Sequence, residues 1–295
     1  MATTAESAGQ AAAARCANCD QSLSGPFCSA CGQEARDLQR PIYVLAAESA
    51  ADIFDLDTRL TRTIGPLLLK PGEVTKRYRG GHRVSYVPPL KTYLVSALVF
   101  FSLFTLFPRR EPDRQAVFMA NSAEARAARA NPRSGATVEL PERLPVFDQE
   151  YQRMAANARA HPEAFFAALY ASIPRLFFVF LPLFAVYLEL FYRKDGFYID
   201  HLVFSLYYHG FVFATLSILL LAARTDPWTP PWVRTGLGVV GWTWIVVHLP
   251  IALQRVYGGA KWKTALKVLG LWVLYLLTAV FIGLPFLTFL AMTGF

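Results

Sequence analysis

The chain has 295 residues, of which 54% are hydrophobic and only 17% are charged, and its formal net charge is +8. Soluble domains average roughly 25% charged residues, so the composition excludes an ordinary soluble enzyme, a disordered chain and a fibrous protein. Five stretches of about 18 or more mostly apolar residues indicate a polytopic membrane protein. In such a protein the basic excess favours cytosolic anchoring and an anionic lipid surface over nucleic-acid binding.

All four cysteines lie near the N-terminus, after an Ala-rich segment, residues 1–15, that we expect to be a disordered tail. They form two C-x2-C pairs, eight residues apart: Cys16, Cys19, Cys28 and Cys31. Four thiolates at this spacing can bind one tetrahedral ion, which predicts a small structural zinc ribbon over residues 16–35. Because so short a segment cannot bury a core, we expect the metal to supply most of its folding free energy.

An iron site and two disulfides are the alternatives to zinc. Disulfides require an oxidising compartment, whereas the topology that the lysines predict has the cysteines in the reducing cytosol. A closed site of four thiolates has no open coordination position, so we expect no catalytic role for it. The segment then either presents a small rigid surface to a cytosolic protein partner or simply orders the N-terminus.

Five spanning helices are predicted within a membrane domain that covers residues 90–295. Each is long enough to cross about 30 Å of hydrocarbon at 1.5 Å per residue. The predicted spans are approximately Leu90–Phe107, Ile173–Tyr192, Leu202–Ala222, Val233–Leu253 and Val268–Thr293.

The lysines indicate the orientation of these spans. All seven fall at or before the first span, between spans two and three, or between spans four and five, and these regions share one side of the membrane. The positive-inside rule therefore predicts a cytosolic N-terminus and an extracytoplasmic C-terminus. Residues 108–172 then form an extracytoplasmic loop, which we expect to be helical. The sequence thus predicts an all-α, five-span inner-membrane protein.

The segment 40–89 lies between the cysteines and the first span. Its apolar residues recur at helical spacing as far as Pro71-Gly72, which predicts one or two amphipathic helices at the cytosolic interface. A basic loop follows, and we call its four cations the basic collar: Lys76, Arg77, Arg79 and Arg83. Such a cluster beside a span indicates contact with anionic lipid or phosphate, or plain anchoring of the topology.

Four ionisable residues in or beside the spans form a candidate intramembrane polar site: Glu189, His201, His209 and His248. Such groups are costly in a membrane and are functional candidates by default. His209 and His248 lie at similar depths and could meet, as a proton relay, a metal site or a pair of haem ligands. Alternatively, Glu189 pairs with Arg193 or Lys194. Each histidine would then bind a tyrosine or a carbonyl between helices.

Motifs along nearly the whole chain have a pattern in common with one known family. They are Cys-Gly-Gln at 31–33, Pro71-Gly72, R-Y-x-G-x-x-R-x-x-Y-x-x-P from Arg77 to Pro89, Leu181–Ala185, Tyr198–Phe204, His209–Phe211 and Arg255–Gly258. In these motifs the chain resembles an uncharacterised bacterial membrane family, domain of unknown function family 3667. Asp200 stands where that pattern favours Glu, and Tyr207 stands where His is common. The resemblance implies a zinc ribbon and a helical domain in a bacterial membrane, and no established activity.

From these observations we expect a non-enzymatic adaptor or regulator of the inner membrane, with the zinc segment facing a cytosolic partner. The first alternative is a small transporter or lipid-handling protein that uses the candidate polar site. The second is an intramembrane metal or haem redox subunit.

Overall fold

The computed structural model describes residues 15–35, 59–106, 162–224, 229–286 and 289. The predicted N-terminal tail lies outside these residues except for Arg15. The first part of the predicted interfacial segment and most of the predicted extracytoplasmic loop also lie outside them, so these predictions remain predictions.

The described residues contain helices and no strand, which confirms the predicted all-α class. Two isolated β-bridges, Arg15 with Ser22 and Phe27 with Glu34, lie in the cysteine segment, and we call residues 15–35 the ribbon. The helices in the described residues are α1 (Arg59–Leu69), α2 (Glu73–Arg79), α3 (Pro89–Leu106), α4 (Pro162–Tyr192), α5 (Tyr198–Ala222), α6 (Pro231–Tyr257) and α7 (Lys261–Thr278), with a π-helical turn at Ala279–Gly283.

Five of these helices are long and apolar enough to cross a membrane, as predicted. They are α3, the Ser172–Tyr192 part of α4, α5, α6, and α7 with its extension to Phe286. The last span begins at Lys261, earlier than the predicted Val268. Lysines near a membrane boundary can extend their polar heads outwards along apolar surface. The ammonium of Lys267 lies over the ring of Tyr192, 3.7 Å from its centroid.

The chain divides into two compact units. The first comprises residues 1–103 and 173–286 and contains the ribbon, α1, α2 and most of the spanning helices. The second comprises residues 104–172 and 287–295, and its described parts are the end of α3, the first turns of α4 and Phe289.

Helix α5 is the centre of the first unit. Its residues take part in all three clusters of buried apolar side chains: Phe204 packs with α4, α6 and α7, Tyr207 packs with α1 and α2, and Phe213 packs with α3 and α4. The buried share of α5 is 61%, against 22–33% for the other spans. Helix α5 is therefore surrounded by the other helices, whereas those helices expose most of their residues.

Helices α1 and α2 form a hairpin around the turn Lys70–Gly72, and we call residues 59–79 the hairpin. It packs against α5 and α6. Its first helix ends where donors from α6 are available: Trp244 Nε1 donates to the carbonyl of Leu68 at 2.8 Å, and His248 Nε2 donates to that of Leu67 at 3.2 Å. The last carbonyls of a helix lack partners within it, so these side chains stabilise the end of α1 inside the helical domain.

The residues that follow α2, Gly80–Pro88, connect the hairpin to α3, and we call them the seat loop. Its end is fixed at Val87, whose N–H donates to Thr63 Oγ1 at 2.9 Å and whose carbonyl accepts from the hydroxyl of Tyr207 at 2.7 Å. The seat loop is therefore bound to both α1 and α5.

Candidate functional site

The ribbon consists of two nearly identical knuckles, each with the sequence C-x2-C-x-Q. In the first, the N–H of Cys16 donates to the carbonyl of Gln21, and in the second the N–H of Cys28 donates to that of Gln33, both at 2.8 Å. Asp20 and Gly32 occupy the same place in their knuckles, with φ angles of 62° and 72°. Each knuckle is a tight turn that directs the N–H groups and sulfurs inwards.

The four sulfur atoms lie together in a geometry that suits one metal ion. Cys16 Sγ is 3.6 Å from Cys31 Sγ, and Cys19 Sγ is 3.5 Å from Cys28 Sγ. All four sulfurs lie within 4.8 Å of one another. Tetrahedral bonds of about 2.3 Å from zinc to sulfur place the sulfurs roughly 3.8 Å apart, so the arrangement fits such an ion. The four cysteines can therefore hold a metal through sulfur alone.

The backbone of the second knuckle favours the form of cysteine that binds metal. Hydrogen bonds from the N–H groups of Cys31 and Ala30 lower the pKa of the Cys28 thiol to about 7. In contrast, despite a backbone hydrogen bond with Gln21, the pKa of Cys19 is raised to about 12 by burial and by the three neighbouring thiols. Metals bind the thiolate and not the thiol, so a lowered pKa reduces the cost of removing the proton on binding.

The ribbon is held against the seat loop by the side chain of Gln33. Its Nε2 donates to the carbonyl of Gly81 at 2.9 Å. Its Oε1 accepts from two successive N–H groups, those of Arg83 at 3.3 Å and Val84 at 3.4 Å. The equivalent residue of the first knuckle, Gln21, is exposed. One of two equivalent glutamines therefore fixes the ribbon on the seat loop.

Two further contacts join the ribbon to the seat loop. Ser85 Oγ donates to Asn18 Oδ1 at 2.8 Å. Gly81 has a φ of +100°, and a Cβ there would stand 2.6 Å from the Cβ of Ala17. Only glycine combines this backbone conformation with so close an approach. These contacts place the candidate metal centre directly on the seat loop.

The residues of the basic collar have different surroundings. Lys76 and Arg77 are exposed, and Arg77 Nε donates to Glu73 Oε1 at 2.6 Å. Arg83 is half-buried, with its guanidinium 5.7 Å from the centroid of the Tyr78 ring. Arg79 is largely buried. Lys76 and Arg77 are therefore the members of the collar that are best placed to meet a lipid headgroup.

Arg79 joins the hairpin to the start of α5. Its Nε donates to Asp200 Oδ1 at 3.2 Å, and its Nη2 donates to the carbonyl of Asp195 at 2.9 Å. Asp200 Oδ2 also accepts from the N–H of Phe197 at 3.0 Å, so the same carboxylate stabilises the N-terminus of α5. The guanidinium lies 5.1 Å from the centroid of the Tyr257 ring.

A polar cluster lies beside this ion pair, at the ends of α4, α5 and α6. His201 Nδ1 is 2.7 Å from the hydroxyl of Tyr257. His201 Nε2 is 3.2 Å from Glu189 Oε2, the distance of an ion pair, but the orientation is not that of a hydrogen bond. The His201 side chain is fully buried, whereas that of Glu189 is 34% exposed. Two of the four residues of the predicted polar site are therefore neighbours, and Glu189 faces His201.

The other two histidines of the predicted site have separate partners. His209 Nδ1 donates to the carbonyl of Ser205 at 2.8 Å, and its Nε2 is 2.9 Å from the hydroxyl of Tyr275. His248 donates to the carbonyl of Leu67 and stacks on Phe211, with ring centroids 3.5 Å apart. Each histidine thus binds a tyrosine or a carbonyl between helices.

The sequence predicts no role for two residues that are central to these contacts, Gln33 and Tyr257. Both stand in motifs of the family resemblance, Cys-Gly-Gln and Arg-Val-Tyr-Gly. The motifs therefore point to these two positions but do not identify their partners. The partners of these side chains lie about 50 residues away in sequence for Gln33 and 56 for Tyr257.

Comparison with known proteins agrees with the resemblance where the motifs Pro71-Gly72 and Arg77 to Pro89 lie. Residues 57–101 match the model of the family described as Protein of unknown function (DUF3667), which confirms the resemblance. No curated protein and no solved structure matches the chain. The matched residues contain the hairpin, the seat loop and most of α3. Over these residues, which do not include the ribbon, this chain is therefore similar to the family described as Protein of unknown function (DUF3667).

Proposed function

We propose that this protein is an adaptor of the bacterial inner membrane, in which a zinc-loaded ribbon presents a surface to a cytosolic protein partner. The observation that carries the proposal is the attachment of the ribbon through Gln33 to Gly81, Arg83 and Val84. A ribbon that only ordered the N-terminus would need no such contact. A ribbon fixed to the membrane domain can transmit the binding of a partner to the helices.

The exposed side of the ribbon supports a role in binding. Phe27, next to the metal ligand Cys28, is 59% exposed. An aromatic side chain left in solvent on so small a unit is a typical anchor for a protein interface. Gln21 is exposed as well, so the first knuckle has polar groups for a partner.

The proposed orientation rests on exposed cations near the ends of the helices. On the side of the ribbon, exposed cations follow α1, end α2, follow α4 and begin α7: Lys70, Lys76, Arg77, Arg193, Lys194, Lys261 and Lys263. Such a ring favours the cytosolic face, where anionic lipids attract each cation by about 1 kcal/mol. The ribbon then lies in the cytosol, where thiolates remain reduced and can hold zinc.

Elemental analysis of the purified full-length protein tests the metal. We expect about one zinc per chain, as a single closed site of four thiolates predicts. The zinc should be lost in Cys16→Ser and retained in Glu189→Gln. Absence of metal from the wild type, or iron in place of zinc, would contradict the proposed cofactor.

A photoreactive amino acid at residue 27 tests the adaptor role in growing cells. We expect one specific crosslinked protein, lost in the Cys16→Ser background and absent when the photoreactive group is moved to Trp232, an exposed residue at the start of α6. If crosslinking at residue 27 is indistinguishable from that at residue 232, the proposed interface is wrong. Reporter fusions at both termini test the orientation, with cytosolic signal expected at the N-terminus alone.

A second candidate function, transport or lipid handling, is favoured by the polar cluster. Glu189 Oε2 and His201 Nε2 are both buried atoms without a hydrogen bond, although they lie 3.2 Å apart. Ionisable side chains cost free energy inside a membrane, and those that occur there are functional candidates by default. If the protein transports a solute or handles lipid, Glu189→Gln and His201→Gln should abolish that transport or lipid handling in cells, and Cys16→Ser should be tolerated. An adaptor should show the reverse. The described residues contain no observation that favours a redox subunit.

A further inference from the structure

We propose that Glu189 and His201 form a binding site for a divalent transition-metal ion, separate from the site of the four cysteines. The inference names a ligand class for the polar cluster and does not rest on the adaptor role of the ribbon. The two atoms that bind the ion are Glu189 Oε2 and His201 Nε2.

These two atoms face each other without forming a hydrogen bond. They lie 3.2 Å apart, both are buried, and neither has a hydrogen-bond partner among the described residues. The other ring nitrogen, His201 Nδ1, lies 2.7 Å from the hydroxyl of Tyr257. The imidazole proton is therefore assigned to Nδ1, where the hydroxyl oxygen can accept it, and a lone pair remains on Nε2. A lone pair and a carboxylate oxygen at this distance repel each other unless a cation binds both.

The distance between the two atoms suits a shared metal ion. Zinc binds imidazole nitrogen and carboxylate oxygen at about 2.0–2.2 Å, so tetrahedral angles place two such ligand atoms roughly 3.3 Å apart. The observed distance of 3.2 Å is close to this value. A shared proton requires the two groups to be aligned along a hydrogen bond, and they are not aligned in this way.

Tyr257 holds the imidazole ring in the orientation that such a site requires. A metal-binding histidine usually donates its second ring N–H to a neighbouring oxygen, which fixes the tautomer and the direction of the free lone pair. Tyr257, the last residue of α6, provides that oxygen. Imidazole favours zinc, copper, iron and nickel over calcium and magnesium, so His201 sets the class of ion.

The charges around His201 favour a cation. Four charged groups act on it: Glu189, Asp195, Asp200 and Arg79. Arg79 and Asp200 neutralise each other in their ion pair, which leaves two carboxylates. The ammonium of Lys267, from α7, lies over one face of the Tyr192 ring, and the Tyr257 ring stacks on Tyr192 at 4.3 Å. Aromatic rings therefore separate this ammonium from His201.

The site lies at the ends of the spanning helices, on the side of the hairpin. Glu189 is in the last turn of α4, and His201 is in the first turn of α5. Arg79, at the end of the hairpin, donates to the carbonyl of Asp195 between these two helices. Because the side chain of Glu189 is 34% exposed, an ion can reach the site and water can complete its coordination.

Equilibrium dialysis of the tag-free, full-length protein against excess Zn²⁺ in neutral detergent tests the site. Two protein ligands bind more weakly than four thiolates, so the wild type should hold about one zinc as purified and about two after dialysis. Glu189→Gln and His201→Gln should remain at about one zinc after dialysis. The matched control is Glu73→Gln, because Glu73 is bound to Arg77 and its removal should leave the second zinc in place.

A variant with all four cysteines changed to serine separates the two sites. After dialysis it should hold about one zinc, and the same variant with Glu189→Gln should hold none. X-ray absorption of the four-serine variant should show nitrogen and oxygen ligands, including an imidazole, and no sulfur.

Tyr257→Phe tests the positioning of the ring. Without the hydroxyl, the tautomer of His201 is no longer fixed, and the affinity for the second zinc should fall at least about tenfold. Thermal unfolding of each variant without zinc shows whether it is folded. Added zinc should raise the unfolding temperature of the four-serine variant, and Glu189→Gln should remove that rise.

The site is refuted if the wild type takes up no second zinc, or if Glu189→Gln and His201→Gln are folded and still take it up. It is also refuted if the ligands seen by X-ray absorption include no imidazole. Should either variant fail to fold, an unchanged zinc affinity of Tyr257→Phe contradicts the site equally. A wild type without zinc as purified contradicts the proposed function alone, because uptake by the four-serine variant still tests this site.

Discussion

Gly72 lies so close to α6 that a Cβ there would stand 2.8 Å from the carbonyl oxygen and 2.9 Å from the Cα of Ala252. Its φ is +72°, a backbone conformation that residues other than glycine adopt only at a cost in free energy. Both facts concern backbone atoms, which cannot move aside as a side chain can. The turn of the hairpin is therefore built around a residue without a side chain.

Gly72→Ala should destabilise the hairpin by at least about 2 kcal/mol, because backbone strain and overpacking act together. Thermal unfolding in detergent measures the effect. The control is Gly65→Ala in α1, where nothing lies within 4 Å of the added Cβ and the helix gains about 0.5–1 kcal/mol. If both variants unfold at the same temperature, the close approach of the hairpin to α6 is not present in solution.

The donors that stabilise the end of α1 can be removed one at a time. His248→Phe keeps an aromatic ring on Phe211 but leaves the carbonyl of Leu67 without its donor, and Trp244→Phe does the same for Leu68. Each should cost about 1–3 kcal/mol of unfolding free energy, the cost of an unpaired buried polar group. The control is Trp242→Phe, since Trp242 is 58% exposed and should change little. Equal effects of Trp242→Phe and Trp244→Phe would contradict the role of Trp244.

The ion pair of Arg79 with Asp200 can be compared with an exposed pair in the same hairpin. Arg79 and Asp200 have side-chain exposures of 16% and 29%, against 54% and 24% for Arg77 and Glu73. Double-mutant cycles should give a coupling of at least about 1 kcal/mol for Arg79 with Asp200 and about 0.3–0.5 kcal/mol for the helical surface pair. Asp200→Glu should retain most of the coupling. A larger coupling for the surface pair would be inconsistent with Arg79 as the link to α5.

The equivalent positions Asp20 and Gly32 give a matched test of the ribbon. Gly32→Ala places a side chain at φ 72°, with nothing within 4 Å of the new Cβ, so its effect is confined to the backbone. A cost of about 1–2 kcal/mol should weaken metal binding roughly 5- to 30-fold, because folding and binding are coupled here. Asp20→Gly should strengthen binding. Competition titration with a chromophoric chelator measures both, and unchanged affinities would contradict the left-handed turns of the knuckles.

Much of this architecture follows from local patterns in the sequence. The five spans follow from runs of apolar residues, and the cluster of four sulfur atoms follows from the spacing of the cysteines, since both signals lie within short stretches. Pro71-Gly72 marks the end of α1 for the same reason. The position of Gly72 against Ala252 could not be read in this way, because the contact joins residues 180 positions apart.

The polar residues show why the rest could not be predicted. Glu189 is four residues from Arg193 in sequence, which favours a local ion pair, yet it faces His201 on the next helix. His209 and His248 have matched depths, but depth alone does not fix the direction of a side chain. Their partners, Tyr275 and the carbonyl of Leu67, depend on which helices are neighbours. The order of helices around α5 is set by packing, which a single sequence does not reveal.

The donors at the end of α1 also bear on the order of biosynthesis. Residues 67 and 68 leave the ribosome long before residues 244 and 248, which complete their hydrogen bonds. Until α6 has been inserted, two carbonyls of α1 must stay hydrated at the membrane surface, since lipid offers no donor. The hairpin is thus among the earliest segments to be translated and among the last to reach its final position. A chain that stalls before α6 should therefore display an accessible hairpin beside an already folded ribbon.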